Sequence, residues 1–199
     1  MSRLYSIVAI GLLIGVGHVG RAGFLPGQRV AVLKRASVAV AASPYVVWDQ
    51  TFNMTTGANG GITVTANLGG ANTFAYSTTN TCAVSEACSV RGTIVSGQAF
   101  IGLTESSATH DQTGIRYALY SHGSGTLFVF ENGSPNYSFG GWSIGDVFEV
   151  RSNGTTVSYY HNGVHQGDSA ISAAGLTLFP AASGNDVGHG FSVGEFSKP

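Results

Sequence analysis

Charge is scarce in this chain: Asp, Glu, Lys and Arg make up only 10% of 199 residues. The body of the protein therefore lacks the basic stripe that phosphate binding requires, and nucleic acid is a poor partner for it. Cysteine is scarcer still. Cys82 and Cys88 are the only two, and with no second Cys pair or neighbouring His cluster, the usual four-ligand zinc site is excluded. The two acids that must flank a sugar bond in a glycosidase are missing as a recognisable pair, since Glu131 and Glu149 stand singly on separate strands. His110-Asp111 is the only adjacent His and acid pair, and no nucleophile accompanies it. Long hydrophobic runs are absent as well. The apolar stretch Leu4 to Val19 is shorter than the ~20 residues a spanning helix needs. There is no internal repeat, and no helical periodicity beyond the N-terminus.

Turn signals are plentiful instead. In Gly145 to Val164, GDVFEVRSNGTTVSYYHNGV, two Asn-Gly pairs punctuate three short runs of strand character. Asn and Gly both tolerate positive φ, so Asn153-Gly154 and Asn162-Gly163 fit the type I′ hairpin turn. Between them the side chains alternate. Phe148, Val150, Val157 and Tyr159 fall on one face, while Glu149, Arg151, Ser158 and Tyr160 fall on the other. The pattern predicts a meander with one buried and one wet face. Extended segments are expected at 45–53, 62–68, 72–78, 90–95, 98–104, 115–121, 126–131, 146–151, 155–161 and 190–196. Ten short strands make an all-β protein of two sheets packed face to face.

The order Phe100-Ile101-Gly102-Leu103, Tyr117-Ala118-Leu119-Tyr120, Phe128-Val129-Phe130-Glu131-Asn132-Gly133, the meander, and then Leu178-Phe179-Pro180-Ala181 resembles the concanavalin A-like lectin/glucanase superfamily. The meander is also similar to SPRY-type sandwiches. The resemblance covers roughly residues 45–197 and implies an antiparallel jelly-roll β-sandwich whose first and last strands pair. That fold hosts lectins, glycosidases, protein-binding modules and coat proteins, so it does not select a function. The glucanase branch carries its carboxylates in a Glu-x-Asp-x-x-Glu run, which this sequence lacks, and a non-enzymatic role is expected. Legume lectins support their sugar site with calcium and manganese. Their metal-binding run does not align here, so calcium is compatible with the class but no ligand is assigned, Asp111, Asp168 and Asp186 included.

The net charge of −1 hides an asymmetry. Five of nine basic residues, Arg3, Arg21, Arg29, Lys34 and Arg35, lie before position 36, and all ten acidic residues lie at Asp49 or later. An arm of +5 thus precedes a body of −6, which divides the chain into an apolar, basic N-terminal arm at 1–43 and a sandwich domain at 44–199. The arm supports two readings. Ile7 to Val16 has the length of a signal-peptide core, followed by Gly20-Arg21-Ala22 as a cleavage site. The basic residues after that core oppose export, and favour an uncleaved arm that contacts a membrane or neighbouring subunits in a homo-oligomer or particle.

Sugar recognition needs an aromatic face and amides to fix hydroxyls. The glycine-rich segment Asn132 to Trp142, NGSPNYSFGGW, is expected to be a loop offering Asn132, Asn136, Tyr137 and Trp142. A second patch comprises Tyr160, His161 and His165. The alternative role for the ring of Trp142, like that of Phe139, is to cap the end of the core. Cys82 and Cys88, spaced to close a small loop, are expected to form a disulfide in a secreted or surface protein. Sequons stand at Asn53, Asn132, Asn136 and Asn153. Together these features predict a non-catalytic module on a cell surface, in the extracellular space or on a virion, that recognises a glycan or other surface receptor. The competing expectation is a structural coat, decoration or filament subunit; SPRY-like recognition inside a cell fits the cysteines and leader poorly.

Overall fold

The computed structural model describes residues 43–66, 73–105 and 112–198. The arm up to residue 42 and the His110-Asp111 pair lie outside the described residues. Among the described residues, fourteen strands form two seven-stranded antiparallel sheets. In chain order they are β1 (Gln50–Phe52), β2 (Met54–Thr56), β3 (Ile62–Val64), β4 (Phe74–Tyr76), β5 (Cys88–Ser96), β6 (Ala99–Thr104) and β7 (Tyr117–Ser121). Then come β8 (Thr126–Glu131), β9 (Ser134–Gly141), β10 (Val147–Ser152), β11 (Val157–His161), β12 (Val164–Asp168), β13 (Phe179–Gly184) and β14 (Gly190–Ser197). One sheet, here the meander sheet, runs β12-β11-β10-β5-β14-β3-β2. The facing sheet runs β1-β4-β13-β6-β7-β8-β9.

The expected segment 45–53 is not one strand. Asn53 takes a positive φ of 53°, which breaks the chain into β1 of the facing sheet and β2 of the meander sheet; a residue at positive φ is how the chain changes sheets here. Just before it, Tyr45 bridges Glu195, Val46 N–H donates to Gly194 O at 2.9 Å, and Phe196 N–H donates to Pro44 O at 2.7 Å. The two ends of the sandwich do meet.

β2 lies beyond the end of the expected segment 45–53, and three further strands escaped the sequence reading for physical reasons. β9 contains Pro135 and a Gly-Gly end, residues that weaken a strand interior but are tolerated at a sheet edge, where it lies. β12 is a short exposed edge. β13 holds Pro180 and small residues in the middle of a sheet; Pro180 gives no N–H, but its carbonyl accepts from Ser77 at 3.1 Å. The segment 132–142, expected as a loop, is therefore a turn followed by a strand.

Asn132-Gly133 (φ 49° and 79°) and Asn162-Gly163 (φ 50° and 77°) are two-residue turns with both φ values positive, as type I′ requires. Asn153-Gly154 differs from the expectation. Ser152 pairs with Val157, which leaves four residues in the connection, and Asn153 Oδ1 accepts from Thr155 and Thr156 N–H at 3.0 and 2.8 Å. Its side chain organises an Asx-type loop rather than the turn itself.

The interior follows the alternation. Phe148, Val150, Val157 and Tyr159 are fully buried against Ile101, Leu103, Leu119 and Val129 of the facing sheet. The facing sheet also carries a second apolar layer on its outward side: Phe74, Phe100, Ala118, Tyr120, Phe130 and Ala181, with Phe100 and Tyr120 stacked at 3.9 Å. Only the meander sheet has the single wet face that the pattern implied.

Candidate functional site

The wet face of the meander sheet assembles residues that lie far apart in sequence. Register places Glu195 (β14) beside Arg91 (β5), Arg91 beside Glu149 (β10), Glu149 beside Tyr160 (β11), and Tyr160 beside His165 (β12). The next row, Ser197, Ser89, Arg151, Ser158 and Asp168, crosses the same five strands. Directly opposite side chains lie close enough to interact, so the face becomes two ladders of charge and hydroxyl.

The centre is tightly organised. Arg151 donates from Nε and Nη2 to the two oxygens of Glu149, both at 2.8 Å, while its guanidinium lies 3.8 Å from the Tyr160 ring centroid. A planar guanidinium suits both contacts at once. The hydrogen bond it donates to Glu149 is the main reason the Arg151 pKa stands above its usual value, despite partial burial working the other way. Glu149 is only 8% exposed although it faces outward, because neighbouring side chains rise around it. Arg91 pairs with Glu195. Ser89 and Ser197 hydroxyls lie 2.9 Å apart, and Asp168 holds Ser158 at 2.6 Å and His165 at 2.9 Å.

Two adjoining hollows cover this floor. One of about 460 Å³ is lined by Glu149, Arg151, Ser158 and Tyr160 among others, and one of about 430 Å³ by Arg91, Glu149 and Glu195; Ser89 and Ser197 line both. The floor has paired charges, several hydroxyls and one aromatic ring. Such a surface can hydrogen-bond a polyhydroxylated ligand without adding net charge.

The sequence-expected residues divide among three places. Tyr160 lies on the groove floor, and the His165 ring lies tilted beside it, centroids 5.2 Å apart. His161 is on the inner side of the same strand, next to Phe148, with Nε2 2.8 Å from Asp146. Trp142 is half-buried against the core, and its indole N–H donates to His122 O at 2.9 Å, so the ring is built into the end of the sandwich.

Asn136 lines a lateral cleft with Glu131 beside edge strand β9, whereas Tyr137, on the same strand, packs against the core. Asn132 is the first residue of the β8–β9 turn. Asn136 Nδ2 donates to Glu131 Oε2 at 2.7 Å, and the Tyr159 hydroxyl from the opposite sheet donates to Glu131 Oε1 at 2.7 Å. Burial, reinforced by Glu131, pushes the Tyr159 phenol far above its usual pKa. The Tyr137 hydroxyl is buried without a hydrogen-bond partner, and burial followed by the charges of Glu131 and Asp168 raises its pKa too.

Sequence reasoning treated Glu149 as an ordinary surface acid and missed Arg151, Ser89 and Ser197. The alternation already put Glu149, Arg151, Ser158 and Tyr160 on one face. What it lacked was the placement of β5 beside β10 and of β14 beside β5, which is non-local. Cys82 and Cys88 are disulfide-bonded. Among the described residues, no group of three His, Cys, Asp or Glu side chains is placed to hold a metal.

No protein-family model matches the sequence, and no curated protein matches it. Solved structures do resemble it. The human HERC1 SPRY domain superposes with a TM-score of 0.58 at 13% identity, covering 76% of this chain and 96% of that one. The VIP36 exoplasmic/lumenal domain, in its Ca²⁺- and mannose-bound form, gives 0.53 at 9% identity over 78% and 88%. The Emp46p carbohydrate recognition domain, metal-free, gives 0.51 at 8% over 73% and 85%. At such identities the likeness is one of fold, and the chain has the concanavalin A-like jelly-roll fold.

Proposed function

We propose that the protein is a non-catalytic recognition module that binds a glycan in the groove on the outer face of the meander sheet. The observation that carries this reading is Arg151, fixed between the Glu149 carboxylate and the Tyr160 ring on the floor of that groove. A guanidinium already oriented by two neighbours loses little freedom when it donates to a ligand, and preorganisation of this kind favours affinity. The serine hydroxyls around it supply further donors and acceptors. The mannose-bound VIP36 domain and the Emp46p carbohydrate recognition domain share the fold, which agrees with the reading. The disulfide supports an oxidising, extracellular setting, with display at a cell surface or on a virion and the arm of 1–43 as leader, anchor or assembly segment.

The test is a glycan array with the full chain, with and without calcium, followed by calorimetry on the best ligand. Arg151→Ala and Tyr160→Ala should each weaken binding at least tenfold with an unchanged circular dichroism spectrum. Retained affinity in both variants sinks the groove assignment. Mass spectrometry of the incubated ligand should find it intact, and a cleavage product would overturn the non-catalytic reading.

A structural subunit is the second reading, and one separate observation favours it. The outward aromatic layer of the facing sheet leaves Phe52 exposed and Tyr76 and Phe128 half-exposed, which suits contacts between copies. Concentration-dependent assembly in light scattering, lost in Phe52→Ser, is its signature.

A further inference from the structure

We propose a second site, separate from the groove: the lateral cleft at Glu131 takes the primary ammonium group of an amino sugar. The proposal rests on the glycan reading above for its choice of ligand, and on the cleft itself for the charge.

Glu131 is 6% exposed, yet no Lys, Arg or His among the described residues pairs with it. A buried carboxylate is costly unless it is paired and hydrogen-bonded. Its two oxygens offer about four acceptor positions, and only two are used, by the Tyr159 hydroxyl and the Asn136 amide. Capacity to accept donors is thus left over. Glu131 also lines an open hollow of about 250 Å³ with Ser134, Pro135, Asn136, Ala170 and Ile171. A second unmet polar group lies within its electrostatic reach, since the buried Tyr137 hydroxyl has no partner and senses Glu131. Buried polar groups without partners are uncommon and call for a ligand or water.

The chemistry of the cleft selects among cations. A calcium ion takes six to eight oxygens, whereas here one carboxylate, already holding two donors, stands with one amide. A primary ammonium brings three donors and accepts nothing. It suits the free positions of Glu131 together with Asn136 Oδ1, whose amide nitrogen is the atom engaged with Glu131. Pro135, Ala170 and Ile171 give an apolar wall for the C–H face of a ring, and Ser134 stands at the rim for a hydroxyl. The hollow is smaller than the 300–1,000 Å³ of a typical drug-sized pocket, which fits one ring rather than a chain of them.

The experiment compares glucosamine oligosaccharides with their N-acetylated counterparts at one pH and ionic strength, using the full chain. Acetylation removes the positive charge and leaves the ring, so the free amine should bind at least tenfold more tightly. Glu131→Gln keeps the shape and an acceptor for Tyr159, and should erase that preference while leaving neutral glycans in the groove unaffected. Equal affinity for amine and amide in the unmodified protein overturns the proposal without any variant. So does an Nα-acetyl-lysine amide that competes as well as glucosamine, because it reassigns the cleft to protein side chains. Arg151→Ala reports on the groove alone. Its failure to affect neutral glycans, with the amine preference intact, would remove the groove and keep the cleft.

Discussion

Trp142 shows how one residue type can carry two opposite roles. Two roles were open for its ring among glycines, a ligand platform or a cap on the end of the core, and the indole N–H donated to His122 O with the ring packed on the core fits the cap. Trp142→Ala removes half-buried aromatic surface and one hydrogen bond, and should lower stability by about 2 kcal/mol, below the range for fully buried Trp. Urea denaturation would measure this, while affinity for any groove ligand stays within twofold. Tyr160 was legible because alternation along Val157 to His161 puts it outside. Glu131 was not. It follows Phe128-Val129-Phe130, where every position is apolar and the inner and outer sides look alike, and only the opposite sheet's Tyr159 reveals that it faces inward.

At the level of elements, turn chemistry was readable and turn length was not. Gly154 and Gly163 both follow Asn and both have positive φ, 89° and 77°, so Ala is strained at either. Their surroundings differ. A Cβ on Gly154 would come within 2.5 Å of Ser85 O, whereas one on Gly163 meets nothing within 4 Å. Gly163→Ala should therefore cost about 1 kcal/mol, the conformational strain alone, and Gly154→Ala clearly more, because a backbone clash is added. The same hairpins hold an acid-sensitive contact. Partial burial pushes the Asp146 carboxyl up, but the Asn162 amide, the Ser143 N–H and His161 together pull it below its usual value. A depressed carboxylate contributes stability above its unfolded pKa, and that contribution is lost as pH falls through the folded one. Unfolding free energy should thus decline below about pH 4, and Asp146→Asn should flatten part of that decline in denaturation curves recorded from pH 6 down to 2.

For the whole molecule, the two sheets must be held in register at their ends as well as through their core. Cys82 bridges Leu178, just before β13 of the facing sheet, through hydrogen bonds of 2.8 and 2.9 Å, while Cys88 opens β5 at the centre of the meander sheet. The bond between them ties one layer to the other. Spacing foretold the pair, but not that it joins sheets, because that depends on where Leu178 arrives after ninety residues of intervening chain. The closed loop is short, with a sequence separation of 6, so the constraint it places on the unfolded chain is worth ~2 kcal/mol on the loop-entropy estimate. Replacing both cysteines by Ala should lower Tm by roughly 4–8 °C for a chain of this size. The loss should not depend on ligand, since the groove floor is set by strand register. Thiol titration of the unreduced, denatured protein should find none and, after reduction, two. Two thiols before reduction would mean that the sheets are held by packing alone, and the double variant would then leave Tm unchanged.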